Sequence, residues 1–158
     1  MSPQTHQRPS RRGLLALGPG LAATVALRPV AAGAAIRTES TAEAIRRFAG
    51  TAEIQPGRIR LDLPPLVENG NAVTITVTVD SPMTPEDHVR RIAVFNDKNP
   101  QPNVITVSLG PASGRAAVTT RIRLADTQRI TAIAETSDGR YWSTTADAIV
   151  TLAACLEG

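Results

Sequence analysis

Aromatic side chains are scarce in this 158-residue chain: two Phe, one Tyr and one Trp, 3% of the sequence. A core must therefore be built from Val, Ile, Leu and Ala, the bulk of a hydrophobic share of 42%. There is one cysteine, which excludes an internal disulfide framework and a four-cysteine zinc site. Only one of the two histidines, His88, lies beyond the first 34 residues, so ordered metal-ligand spacing is missing. No uniformly apolar run reaches the ~18 residues that a spanning helix needs. The length suits one domain.

Basic charge is short as well once the N-terminus is set aside. Residues 1–34 hold four of the seventeen basic residues and none of the fourteen acids. Thirteen basic residues then face fourteen acids, a net charge near −1. No Lys/Arg cluster with interleaved aromatics is left, so a nucleic-acid partner loses its electrostatic basis.

Those first 34 residues have the layout of a secretory signal. A polar stretch with Arg8, Arg11 and Arg12 precedes a moderately apolar stretch from Leu14 to Leu27, and Ala32-Gly33-Ala34 offers a small-residue cleavage site. Ser10-Arg11-Arg12-Gly13-Leu14-Leu15 resembles the twin-arginine consensus, with Leu14 in place of Phe. The weakly apolar middle and Arg28 behind it fit that export route. The expectation is a twin-arginine-type signal peptide over 1–34, cleaved after Ala34, with Arg11 and Arg12 as its motif and the periplasm as destination. No stable membrane association is expected after export.

Ser40-Thr41-Ala42-Glu43 is a capping-box pattern. Ala44, Ile45, Phe48 and Ala49 follow on one helical face, and Gly50 stops the helix. At about ten residues it is too short to stand alone and must dock on something. Beyond Gly50 the apolar period changes from 3.6 to 2. Ile59, Leu61 and Leu63 alternate with polar residues, and Val73, Ile75, Val77 and Val79 alternate with three threonines. Further strands are read at Ile92 to Phe95, Ile105 to Leu109, Val118 to Leu124, Ile130 to Glu135, and one or two over Trp142 to Leu152. Turn signals separate them: Glu68-Asn69-Gly70-Asn71, Asp97-Lys98-Asn99-Pro100, Gly110-Pro111, Ser113-Gly114 and Asp138-Gly139. The fold class is all-β: an immunoglobulin-like antiparallel β-sandwich of about seven strands, with one short N-terminal helix and a flexible C-terminal arm. The sandwich domain spans 35–152 and the arm 153–158.

Cys155 sits on that arm, within Ala153-Ala154-Cys155-Leu156-Glu157-Gly158. Six extended residues reach about 20 Å, enough to carry a thiol into a partner's active site. In an oxidising compartment a lone thiol has no internal partner and stays reactive. No cation adjoins it, and Glu157 disfavours the thiolate, so activation falls to a partner. The competing reading is a small hydrophobe packed beneath the last strand. His88 after Glu86-Asp87 reads as a solvated turn behind Pro85 rather than a metal site. Residue types for a Ser-His-Asp triad are present, but no Gly-x-Ser-x-Gly elbow supports one. Asn99-Pro100-Gln101-Pro102 reads as a rigid loop or a docking edge, and Asp138-Gly139 as a hairpin turn before Tyr141 and Trp142.

A series of motifs now resembles one family. Leu63-Pro64-Pro65, Glu68-Asn69-Gly70-Asn71, the Val73–Val79 strand running into Asp80-Ser81-Pro82-Met83-Thr84, Asn99-Pro100-Gln101-Pro102, Ser113-Gly114-Arg115, Arg123-Leu124, and Ala134-Glu135 with Asp138-Gly139 look like SoxY, in order along nearly the whole chain. SoxY is the sulfur carrier of bacterial thiosulfate oxidation. The resemblance implies a sandwich that pairs with a second sandwich protein of the SoxZ type. It also implies sulfur intermediates borne on an arm cysteine, here Cys155, while other enzymes load and unload it. The family arm reads Gly-Gly-Cys-Gly-Gly. Here Ala153, Ala154, Leu156 and Glu157 flank the cysteine, like the related subgroup with an Ala-Ala-Cys-Ile-Glu arm. Glycine lets an arm thread a narrow channel, so thiosulfate itself is not carried over as the cargo. The expected function is a non-enzymatic periplasmic carrier without cofactor or metal. The alternative is an assembly module whose cysteine forms an intermolecular disulfide.

Overall fold

The computed structural model of the chain describes residues 39–154. It opens with helix α1 (Thr41–Ala49), framed as the capping pattern predicts. The Glu43 amide donates to Ser40 Oγ at 3.2 Å, and the Ser40 amide donates to Glu43 Oε2 at 2.9 Å. Gly50 ends the helix at φ 65°, with its amide donating to the Arg46 carbonyl.

Nine strands follow: β1 (Ile54–Pro56), β2 (Ile59–Asp62), β3 (Leu66–Val67), β4 (Val73–Val79), β5 (Val89–Asn96), β6 (Asn103–Ser108), β7 (Ala117–Ile122), β8 (Gln128–Thr136) and β9 (Tyr141–Val150). They form two sheets. The larger runs β1-β9-β8-β5-β6, with β3 also pairing to β9, and the smaller runs β2-β4-β7. The sandwich and, among the described residues, its single short α-helix are as the sequence predicts. The difference is two extra strands, β1 and β3, of three and two residues, both parallel to β9. Strands so short show no alternation to read, and parallel pairing to the last strand is a long-range event. β9 is one continuous strand that ends at Val150, two residues before the expected Leu152.

The core lies between the sheets. Val73, Ile75, Val77 and Val79 of β4 face Ile92, Val94, Ile130, Ala132 and Ala134. The hydroxyl face of β4 turns outward: Thr76 lies opposite Thr119, and their hydroxyls meet at 3.0 Å. A second cluster answers where the helix docks. Ala44, Phe48 and Ala49 pack on Ala93, Phe95, Ile133 and Tyr141, the outer face of the large sheet. Phe48 stands edge-on to Phe95 and Tyr141 at 6.0 and 5.9 Å, a favoured aromatic geometry. Three of the four aromatics thus fasten the helix. Arg91 seals its end, lying 4.6 Å over the Phe48 ring and pairing with the buried Glu135.

Candidate functional site

Residues 149–154 are built into the sandwich by a ladder of backbone bonds. The Ile149 amide donates to the Pro65 carbonyl and the Thr151 amide to the Val67 carbonyl, both at 2.9 Å. On the other side the Val150 amide donates to Thr127 Oγ1 at 3.0 Å. The Leu63-Pro64-Pro65 segment therefore delivers a parallel edge that guides β9 outward.

Beyond β9, Gly70 takes over. Its amide donates to the Leu152 carbonyl at 2.7 Å, and its carbonyl accepts from the Leu124 amide at 2.8 Å. The Leu124 carbonyl in turn accepts from the Ala154 amide at 3.0 Å. A β-carbon on Gly70 would lie 2.3 Å from the Leu124 oxygen and 2.9 Å from the Ala154 nitrogen. Glycine is required here by close backbone approach. Leu124 is fully buried, and Ala154 is only 7% exposed. Asn99 braces Leu124 from both sides: its Nδ2 donates to the Arg123 carbonyl at 2.8 Å, and its Oδ1 accepts from the Ala125 amide at 3.0 Å. Gln128 Nε2 also donates to Asn99 Oδ1, at 2.9 Å.

The sequence reading places all six residues 153–158 in the arm. Ala153 is exposed, but Ala154 is buried and tied to Leu124. Cys155, Leu156 and Glu157 lie outside the described residues, as do Arg11 and Arg12. Cys155 is the residue that follows the last described tether. Around the arm root stand three large exposed apolar side chains, Leu66 (55% exposed), Ile149 (55%) and Leu152 (60%); Leu66 and Ile149 are register partners.

The weaker candidates resolve into structure. The Asp87 amide donates to Thr84 Oγ1, and His88 Nδ1 lies 3.1 Å from the Thr84 carbonyl. Asp87 pairs with Arg58 at 3.4 Å. These contacts make a turn, and no serine hydroxyl meets the His88 ring among the described residues. No group of three or more His, Cys, Asp or Glu side chains is gathered for a metal there either. No helix among the described residues is long and apolar enough to cross a membrane. Sequence reasoning missed the roles of Gly70, Leu124 and Asn99. Their signals were present only as turn residues, Asn69-Gly70 and Asn99-Pro100, whose tertiary partners are remote in sequence.

Comparison with known proteins sets this geometry in context. The model of the family described as sulfur oxidation protein SoxY matches residues 45–155, so the match runs through the whole arm root and ends on Cys155. The solved structure of the sulfur carrier protein SoxY from Chlorobium limicola f. thiosulfatophilum is 25% identical. The alignment covers 70% of this chain and 96% of that one, with a TM-score of 0.60. A superoxide reductase (neelaredoxin) from Ignicoccus hospitalis aligns over 60% of this chain and 80% of its own at 17% identity and TM-score 0.54. A superoxide reductase from Nanoarchaeum equitans aligns over 60% and 99% at 12% identity and TM-score 0.52. These two likenesses are of fold alone. A search of curated proteins returns no significant sequence match. With its sandwich, its glycine-clamped chain end and a family match over 111 residues from Ile45 to Cys155, the chain belongs to the SoxY family.

Proposed function

We propose that this protein is a periplasmic sulfur carrier that holds a sulfur intermediate covalently on Cys155 and presents it to partner enzymes. The observation that carries the reading is the family match ending on Cys155, one residue beyond the tether at Ala154. The sandwich is then a rigid handle, and the chemistry belongs to the residues that follow it. The SoxY of Chlorobium limicola, described as a sulfur carrier protein, supports the role by likeness.

The thiolate is the reacting form. Joining it to an anionic sulfur compound makes one S–S bond and releases two electrons, which the loading enzyme must accept. No base or resolving cysteine accompanies Cys155 in the sequence, so turnover rests with partners and the protein itself is not an enzyme. A SoxZ-like sandwich protein is the proposed heterodimer partner. Leu156 and Glu157 require partner channels wider than a glycine arm would need, so the cargo and its enzymes differ from those suited to Gly-Gly-Cys-Gly-Gly. Delivery also has a local gate. Freeing Ala154 gives up one hydrogen bond, about 1 kcal/mol, and one buried methyl, about 0.8 kcal/mol. The backbone entropy that a freed residue regains, about 1–2 kcal/mol, offsets most of this, so the tether at Ala154 is a weak one. A partner that grips the freed segment recovers that cost.

The test is Cys155→Ala in the native host. The expected result is loss of sulfur-compound oxidation with an unchanged melting curve. Normal oxidation in that variant would end the carrier reading. The second reading, an assembly module cross-linked through Cys155, draws on the exposed Leu66, Ile149 and Leu152 at the arm root. It predicts partner binding without any small adduct on the thiol.

A further inference from the structure

The end of the sandwich remote from the arm root carries positive charge that carrier chemistry on Cys155 does not use. A cavity of about 570 Å³ opens there, among the start of β2, the end of β4 and the start of β7. Its polar lining is Arg58, Arg60, Arg115, Thr78, Ser81 and Asp80. The pairing explains the hollow. Arg60 lies opposite Thr78, and Thr78 opposite Ala117, so a long cation at one edge looks across a floor of small side chains. Gly114, at φ 69°, closes the turn before Arg115 and sends the chain into β7.

The three arginines are not equally engaged. Arg58 is fixed: its Nε donates to the Asp80 carbonyl at 3.1 Å, its guanidinium pairs with Asp87, and it lies 5.5 Å from the Trp142 ring. The guanidiniums of Arg60 and Arg115 are exposed and have no hydrogen-bond or ion-pair partner among the described residues. Arg58 is balanced by Asp87, so the free guanidiniums of Arg60 and Arg115 against the carboxylate of Asp80 leave the cavity one positive charge in excess. The two guanidiniums that lack an ion-pair partner among the described residues, Arg60 and Arg115, repel each other as like charges. A planar guanidinium fork matches an oxyanion bidentately, and the hydroxyls of Thr78 and Ser81 add neutral donors.

We propose that this cavity binds a small doubly charged inorganic oxyanion of the sulfate type. It is separate from the carrier site. β4 runs seven residues from Val73, beside Gly70, to Val79 in the cavity wall, about 20 Å at ~3.3 Å per residue. The cavity thus lies about 20 Å from the arm root at Gly70, and the proposal stands whether or not Cys155 carries sulfur.

The experiment is calorimetric titration of the purified protein with sodium sulfate, against sodium chloride at matched ionic strength, with amide shifts followed by NMR. Saturable one-site binding of sulfate over chloride is expected, with shifts centred on Thr78, Arg115 and Ala117. Arg60→Ala with Arg115→Ala removes only exposed side chains and should weaken sulfate at least tenfold while the melting curve holds. Cys155→Ser should bind as the parent does. Heats equal to chloride, shifts centred elsewhere, or undiminished binding in the double variant would each overturn the proposal.

Discussion

Replacing Gly70 by alanine should undo the arm root while leaving the rest of the sandwich paired. The new β-carbon would sit 2.3 Å from the Leu124 oxygen, 2.9 Å from the Ala154 nitrogen and 3.2 Å from the Leu152 oxygen. All three are backbone atoms, so no side chain can swing aside. Relief requires the strands to part by roughly an ångström, and that movement stretches all three bonds, Gly70 to Leu152, Leu124 to Gly70 and Ala154 to Leu124. At about 1 kcal/mol each they amount to ~3 kcal/mol, and residual overpacking adds ~1–2 kcal/mol. A loss of ~3–5 kcal/mol is a large part of the ~5–15 kcal/mol available to a domain. The assay is urea unfolding together with amide exchange at Leu124 and Ala154, with Gly110→Ala as control. Gly110 has extended backbone (φ −158°) and nothing within 4 Å of a β-carbon, so it should stay within ~0.5 kcal/mol of the parent. A Gly70→Ala protein with the parent's midpoint and intact protection at Leu124 and Ala154 would refute the clamp.

Other consequences can be measured alongside. Asn99→Ala removes bonds to Arg123, Ala125 and Gln128. It should lower stability by ~1–3 kcal/mol, with faster exchange at Ala125, and an unchanged urea midpoint would contradict its bracing role. Phe48→Ala deletes the ring between Phe95 and Tyr141 and should cost about 3 kcal/mol; protection lost over residues 41–49 while β8 and β9 stay protected is the expected exchange pattern. Asp138 accepts from the Thr136 hydroxyl at 2.6 Å and pairs with Arg140; the hydroxyl first, then the guanidinium, hold its carboxyl well below the usual range. A depressed carboxylate stabilises the fold above its unfolded pKa of ~3.9, and the benefit fades as pH falls from there. Asp138→Asn should therefore be less stable at pH 7 by no more than ~1 kcal/mol, because the pair is solvent-screened, and the gap should close below pH 4. A gap that widens in acid would reverse the sign of this argument.

What the sequence disclosed follows from how locally each feature is encoded. The Ser40 and Glu43 capping pair, the Gly50 stop and the Val73–Val79 alternation are short-range signals, and each reappears where it was read. The family motifs were legible because each is a short contiguous stretch of sequence. The short parallel strands β1 and β3 were not, since two or three residues show no period and their partner lies at the far end of the chain. Gly70 looked like an ordinary turn glycine. Its need to be glycine comes from Leu124, Leu152 and Ala154, which only the fold brings beside it. Arg115 is likewise far in sequence from Arg58 and Arg60, and the three become one cavity wall by the pairing of β2, β4 and β7.

The central claim is that Cys155 carries sulfur, and the intact mass of the protein taken from its native host tests it most directly. Spectra recorded before and after reductant, while the host oxidises sulfur compounds, should differ by a small increment that maps to the C-terminal peptide containing Cys155. A bare thiol under those conditions, or a doubled mass from a disulfide between two chains, would contradict the carrier account.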